Sequence, residues 1–199
     1  MKPVKTAKKS PGRPRSAASE KAILDATLEL LKEEGYGGLT TDKVALRAGA
    51  SKSTMYRRWP SKQHLVIAAF DSTPELNIPD SGDLYADMYT VIKEYIGILN
   101  STTLSGVLPA LIGERAHNAD LAAVLDPLIA RRSLPINTVL RKAVERGELP
   151  AKTNCELAGT ILMSPIQMNS ELGRSVNTRM IKPILNIVLP GLGYSKEAY

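Results

Sequence analysis

Residues 40–62, TTDKVALRAGASKSTMYRRWPSK, constrain this chain more than any other stretch. They read as two short helices joined at a glycine, then a proline break and the start of a third helix. Val44, Ala45 and Ala48 make the apolar side of the first helix. Gly49 supplies a position that tolerates positive φ, so the chain can turn sharply there. Ser51 is a good N-cap for the second helix. Within that helix Met55 and Trp59 are one turn apart and share a face that can pack inward. Lys52, Ser53, Thr54, Tyr56, Arg57 and Arg58 are left mostly on the outer faces. Pro60 stops the helix, Ser61 caps the next, and Lys62 sits in its first turn. The arrangement is a helix-turn-helix whose second helix is dressed in hydrogen-bond donors, the design that enters a DNA major groove.

Charge supports that reading. Lys52 and Lys62 both stand at helix N-termini, where a cation costs roughly 0.3–1 kcal/mol unless an anion arrives. Phosphate is the natural anion for such a position. The chain carries a net charge of +6 at pH 7, unevenly spread. Residues 1–69 hold 14 Lys and Arg against 6 Asp and Glu; residues 70–199 hold 12 against 14. The basic excess therefore belongs to the front third, an electrostatic footprint for a polyanion.

At these positions the chain resembles the TetR family of transcriptional regulators. The matching residues are Thr41, Val44, Ala45, Ala48, Gly49, Ser51, Thr54, Tyr56, Trp59, Pro60, Ser61, Lys62 and Leu65. The likeness is strong over residues 19–70 and rests on length and helix order beyond. It implies an all-α chain of about nine helices: a three-helix helix-turn-helix DNA-binding domain, then a helical ligand-binding and dimerisation domain. One departure is Asp42, acidic where family members carry a basic residue. It suits the dipole of its own helix but not a phosphate.

Three parts follow along the chain: a basic arm over 1–18, a DNA-binding domain over 19–72, and a regulatory and dimerisation domain over 73–199. The arm, MKPVKTAKKSPGRPRSAA, lacks apolar periodicity and is expected to be disordered when free. Its Pro-Gly-Arg-Pro-Arg core, with Arg13 and Arg15, resembles an AT-hook whose arginines enter a narrow minor groove. A solvated tail adding only phosphate attraction fits equally well. Ser19 is expected to cap the first helix, over 19–34, which buries Ile23, Ala26, Thr27, Leu30 and Leu31 and ends at Gly35. The fourth helix starts at Lys62. Residues 73–82, rich in Pro, Asp and Ser, mark the domain boundary.

Beyond the boundary, Leu84, Met88, Val91, Ile92, Tyr95 and Leu99 form one helical stripe, and Leu104, Val107, Leu108, Leu111, Ile112 and Arg115 another. Residues 120–146 are expected to form one helix bent at Pro135, or two shorter ones. A helix over 154–172 is expected to be interrupted at Pro165, and a last one to span 175–189. The last two are apolar over much of their circumference and need a cover. Self-association through Ile161, Met168, Ile181, Ile184, Leu185 and Val188 supplies one, similar to how the family dimerises. A two-fold homodimer would also place two recognition helices on a palindromic DNA operator.

Within the recognition helix, Lys52 reaches guanine O6 and N7, and Ser53 bonds either base type. Arg57 suits bidentate readout or a phosphate clamp. Thr54, Tyr56 and Lys62 suit phosphate contacts that set register, with Ser51 and Thr41 beside them. Arg58 is either a further contact or a solvated arginine. The resemblance further implies a small-molecule effector pocket, for which Met88, Tyr95, Leu108, Leu111, Arg115, Leu125, Met163, Gln167 and Met168 are candidate lining residues. Gly106, Pro109 and Gly113 weaken the helix between, so it could shift when a ligand enters.

Other classes fit less well. No phosphate loop, nucleophile motif or metal-ligand spacing appears, so neither an enzyme, a metal site nor a cofactor is expected. No apolar run is long enough to span a bilayer, the N-terminus lacks a secretory h-region, and the lone Cys155 suits a reducing cytoplasm. The leading expectation is a ligand-responsive repressor. The alternative is an architectural DNA-binding protein led by its basic arm.

Overall fold

The computed structural model describes residues 15–101 and 104–195. Among the described residues are nine α-helices and one short 3-10 turn: α1 Arg15–Gly38, α2 Thr41–Ala48, α3 Lys52–Arg58, α4 Lys62–Asp71, α5 Leu84–Ser101, α6 Leu104–Arg115, α7 Ala119–Glu145, α8 Cys155–Glu171 and α9 Ile181–Gly191. No single helix is long and apolar enough to cross a membrane.

Helix α1 begins at Arg15, four residues before the expected cap at Ser19. Ala17 and Ala18 are strong helix formers, so the helix propagates back through them. At its other end Gly35 takes φ 69° and ψ −179°, which breaks the helix where expected. Ile23, Leu30 and Leu31 of α1 meet Val44 of α2, Met55 and Trp59 near α3, and Leu65 and Phe70 of α4 in one core. Thr27 is fully buried there, and its hydroxyl donates to the Ile23 carbonyl at 2.7 Å, so it leaves no orphan donor.

This core does not stop at the expected boundary. Val107 and Leu111 of α6 and Leu121, Leu125 and Leu128 of α7 belong to it. Helix α4 buries Leu65, Val66, Ile67, Ala69 and Phe70, too many for one face, because headpiece and body pack on different sides of it. A second core lies farther from the headpiece. It joins Met88, Ile92 and Ile96 of α5, Val139 and Leu140 of α7, Leu162 and Ile166 of α8, and Ile181 and Leu185 of α9.

The segment between α4 and α5 is irregular, as its Pro and Asp content implies, but it is stitched down. Asp80 pairs with Lys142 at 2.8 Å and Arg146 at 2.9 Å. The Ser81 amide donates to Asp87, and the Leu84 amide to the buried Glu148. Of the two proline expectations, the single long α7 is the alternative observed, and the interruption at Pro165 is not. Helix α7 is one continuous element through Pro127 and Pro135, and α8 runs unbroken through Pro165. An interior proline costs about 3 kcal/mol; the buried faces of both helices, Pro135 among them, offset it. The last helix starts at Ile181 rather than near 175, after a 3-10 turn over Thr178–Met180 capped by Asn177. Its Pro183 falls in the first turn, where no intrahelical N–H is needed.

Candidate nucleic-acid interface

The turn between α2 and α3 is built as its residues require. Gly49 closes α2 in the left-handed region at φ 60° and ψ 30°, its amide directed at the carbonyls of Ala45 and Leu46. The Ser51 hydroxyl then caps α3 by accepting from the Thr54 amide at 3.3 Å. It also lies 2.8 Å from the Thr54 hydroxyl and 3.1 Å from that of Ser53. Met55 and Trp59 anchor α3 from below, 1% and 7% exposed. Their burial turns Lys52, Ser53, Tyr56 and Arg57 to solvent, with Thr54 and Arg58 half-buried at the edges.

The exposed cations are mostly held by carboxylates. Lys52 pairs with Asp42 at 2.7 Å, and that hydrogen bond raises its pKa above the ordinary lysine value. Arg58 pairs with Glu20 at 2.6 Å, Arg47 with Glu33 at 2.8 Å, and Lys43 with Glu34. Among the described residues none pairs with Arg57. Tyr56 and Thr41 share a hydrogen bond of 2.8 Å between their hydroxyls, tying α3 to the start of α2.

Lys62 differs from expectation. Its ammonium turns inward, donates to the Tyr36 carbonyl and lies 4.1 Å from the centre of the Tyr36 ring. Burial pushes its pKa below the usual lysine range, with the Glu114 carboxylate acting in the opposite direction. The cost of a cation at a helix N-terminus is thus relieved by a carbonyl and an aromatic face, not by an awaiting anion. Arg13 lies outside the described residues. Arg15 opens α1, and its side chain lies outside them as well.

Two family descriptions fit the chain in tandem. Residues 23–69 match bacterial regulatory proteins of the tetR family, and residues 78–182 match the tetracyclin repressor-like C-terminal domain. The chain belongs to the TetR family. It is 33% identical to the HTH-type transcriptional regulator YdeS of Bacillus subtilis over 158 residues, 78% of this chain and 79% of that one. It is 29% identical to the DNA-binding transcriptional repressor TetR of Mycobacteroides abscessus, covering 89% of this chain and 93% of that one. The solved TetR-family transcription regulator SCO0332 superposes with a TM-score of 0.73 at 28% identity, covering 89% of this chain and 98% of that chain. As a TetR-family protein, the chain is a helix-turn-helix DNA-binding transcriptional regulator, and α3 is the second helix of that motif.

The body of this TetR-family chain scatters the expected effector-lining residues. Met88, Tyr95 and Met163 belong to the core distal from the headpiece, and Gln167 is exposed. Met88 and Met163 are buried, and the Gln167 side chain bonds Tyr95, whose phenol burial pushes upward in pKa. Leu108, Leu111 and Leu125 belong instead to the core shared with the headpiece. Arg115 is spent on an exposed ion pair with Asp126, and Met168 is 55% exposed. Two surface grooves, of about 430 and 400 Å³, have other linings: one between the ends of α7 and α8, the other between α4 and α7.

The expected dimer residues also divide. Ile181, Ile184 and Leu185 point into the protomer's own core, and Val188 packs against it, so they back the surface instead of forming it. Ile161 and Met168 are exposed, and Leu157 and Leu172 join them on one stripe of α8, with Ile187 of α9 77% exposed nearby in sequence order. In α9 the inward residues follow helical spacing, Ile181, Ile184, Leu185 and Leu189, opposite the exposed Lys182 and Asn186. Sequence reasoning missed the acidic partners on α1, which lie as far as 38 residues from the cations they hold.

Proposed function

We propose that this regulator is a homodimeric repressor that reads a palindromic operator with a pair of α3 helices and is released by a small-molecule effector. The observation that carries the DNA half is α3 itself. Two buried anchors fix its rotation, so Lys52, Ser53 and Arg57 are offered to a groove while Thr41 and Tyr56 flank them at phosphate height. The stripe Leu157, Ile161, Met168 and Leu172 on α8 supports the dimer. An apolar surface of this kind marks an interaction site, and a palindrome needs two readers.

The hydrogen-bonded pair Tyr95 of α5 and Gln167 of α8, with Tyr95 packed on the core that holds Met88 and Met163, supports an effector site near these helices. It sets two convergent polar groups among adaptable apolar side chains. An effector that prefers one headpiece spacing would lower operator affinity by its differential affinity for the two states. Gln167→Leu is expected to raise the effector concentration needed for release about tenfold while leaving operator affinity unchanged. An unchanged release curve would remove Gln167 from the site.

The dimer is tested by Ile161→Asp and Met168→Asp, each burying a carboxylate at the proposed interface. Sedimentation is expected to show monomers, with operator affinity reduced about a hundredfold or more. A monomeric variant that binds operator as tightly as the parent chain would overturn the paired-reader reading.

A further inference from the structure

The two ends of α4 are held in different ways. At its N-terminal end Lys62 bonds Tyr36 within the headpiece, and the side-chain hydrogen bond to the body runs from Gln63 to Glu114 of α6 at 2.6 Å. At its C-terminal end two consecutive arginines of α7 close on the chain. Arg131 pairs with Asp71 and reaches Glu75 at 3.5 Å. Arg132 goes deeper. Its Nη2 donates to the carbonyls of Phe70 at 2.7 Å and Thr73 at 2.9 Å, and to the Thr73 hydroxyl at 2.9 Å. Its Nη1 donates to the Pro74 carbonyl at 2.6 Å. The Asp71 carbonyl stands 3.4 Å away.

These acceptors are carbonyls of a helix end and of the exit that follows it, at the negative pole of the helix dipole, and that of Phe70 also accepts from the Thr73 amide and hydroxyl. A planar guanidinium meets several of them at once; an ammonium has neither the reach nor the fork. Helix α4 is the element shared by the headpiece core and α6–α7. Apolar packing of α4 against α6 and α7 is non-directional, so the end held by several directed hydrogen bonds is the point about which α4 turns. Ten residues make a lever of about 15 Å, and successive base pairs are about 3.4 Å apart. Small rotations about the exit of α4 therefore translate into whole base pairs at the recognition helix.

We infer that Arg132 is the positioning residue for operator spacing: its clasp on residues 70–74 fixes the pivot about which the headpiece turns. The inference rests on the paired-reader reading for its DNA consequence but not for its geometry. Losing Arg132 should leave each headpiece able to recognise its half-site, yet blur the separation at which two headpieces bind together.

Two measurements on the full chain test this. The first compares wild type, Arg132→Met, Arg132→Lys and the milder Thr73→Val on selected operators whose half-sites are moved apart or together by single base pairs. Wild type is expected to lose about tenfold or more per step, and Arg132→Met to show a nearly flat profile with single half-site affinity within about twofold of wild type. Arg132→Lys is expected to fall between them, and Thr73→Val to shift slightly in the same direction. A wild-type spacing profile in Arg132→Met overturns the inference. So does a proportional loss on the single half-site, which would make the residue merely structural, or full rescue by Arg132→Lys, which would make charge sufficient.

The second measurement needs neither DNA nor dimer. Spin labels are placed at Lys32→Cys on α1 and Lys152→Cys before α8, in a Cys155→Ser background diluted with unlabelled chain. The intramolecular distance distribution is expected to be narrow with Arg132 and at least about twice as broad in Arg132→Met and Arg132→Lys. An unchanged width overturns the pivot even if operator binding behaves as proposed. A broadened width on a chain that binds as a monomer leaves the pivot standing and removes only the paired reading.

Discussion

Lys52 sits 2.7 Å from Asp42 in the free chain, so the DNA contact proposed for it would exchange one partner for another. Both groups are more than half exposed, and such a pair is worth about 0–1 kcal/mol in water. A guanine edge therefore competes easily, and Asp42 disfavours contacts that offer nothing but phosphate. Tyr56 differs, because its hydroxyl already bonds that of Thr41, and its proposed contact is to phosphate rather than to a base. Lys52→Ala is expected to relax preference at one base pair, by roughly 1–3 kcal/mol of discrimination. Tyr56→Phe is expected to weaken all duplexes alike by about 1 kcal/mol. Anisotropy titrations on operator and on random DNA separate the two; equal losses on both for Lys52→Ala would refute its role in readout. The inward Met55 and Trp59, the cap Ser51 and the turn Gly49 were all legible in the sequence, because each acts within one helical turn of itself. The inward turn of Lys62 onto Tyr36 was not, since its partner lies 26 residues upstream and depends on how α1 ends.

At the scale of elements, α3 is only seven residues long and cannot hold itself as a helix. Its stability comes from the core beneath it. Met55→Ala is expected to cost about 2–5 kcal/mol, because the site is 1% exposed and walled by α1, α2 and α4. Thermal unfolding monitored by the Trp59 fluorescence checks this; a melting temperature within error of the parent would contradict the anchoring role. Helix existence and most caps were readable from periodicity and from Ser, Asn and Gly at the ends. Proline positions were not decisive. Pro127, Pro135 and Pro165 all lie inside helices. A local rule about a missing N–H is outweighed when a long helix buries its apolar faces on neighbours. Helix α9 is a different case: Ile181, Ile184, Leu185 and Leu189 repeat at helical spacing and are buried, opposite the exposed Lys182 and Asn186, so its inner side was legible although the first three were expected at a dimer surface.

For the whole molecule, the basic excess of the front third and the neutral-to-acidic body divide the labour, yet α4 makes the two mechanically continuous. Residues 73–82 read as a linker from composition; Arg132, Lys142 and Arg146 turn them into a fastened strap. Those contacts span about sixty residues of sequence, beyond the reach of any local pattern. On the proposed paired reading, operator recognition depends on two headpieces held at one separation by two bodies. Selection of bound duplexes from a random pool by the full chain tests this most directly. Two recognition helices on a two-fold axis are expected to select an inverted repeat whose half-site centres lie about one helical turn apart or a multiple of it. A consensus made of a single unpaired half-site, or simple enrichment of A·T-rich DNA without symmetry, would contradict it.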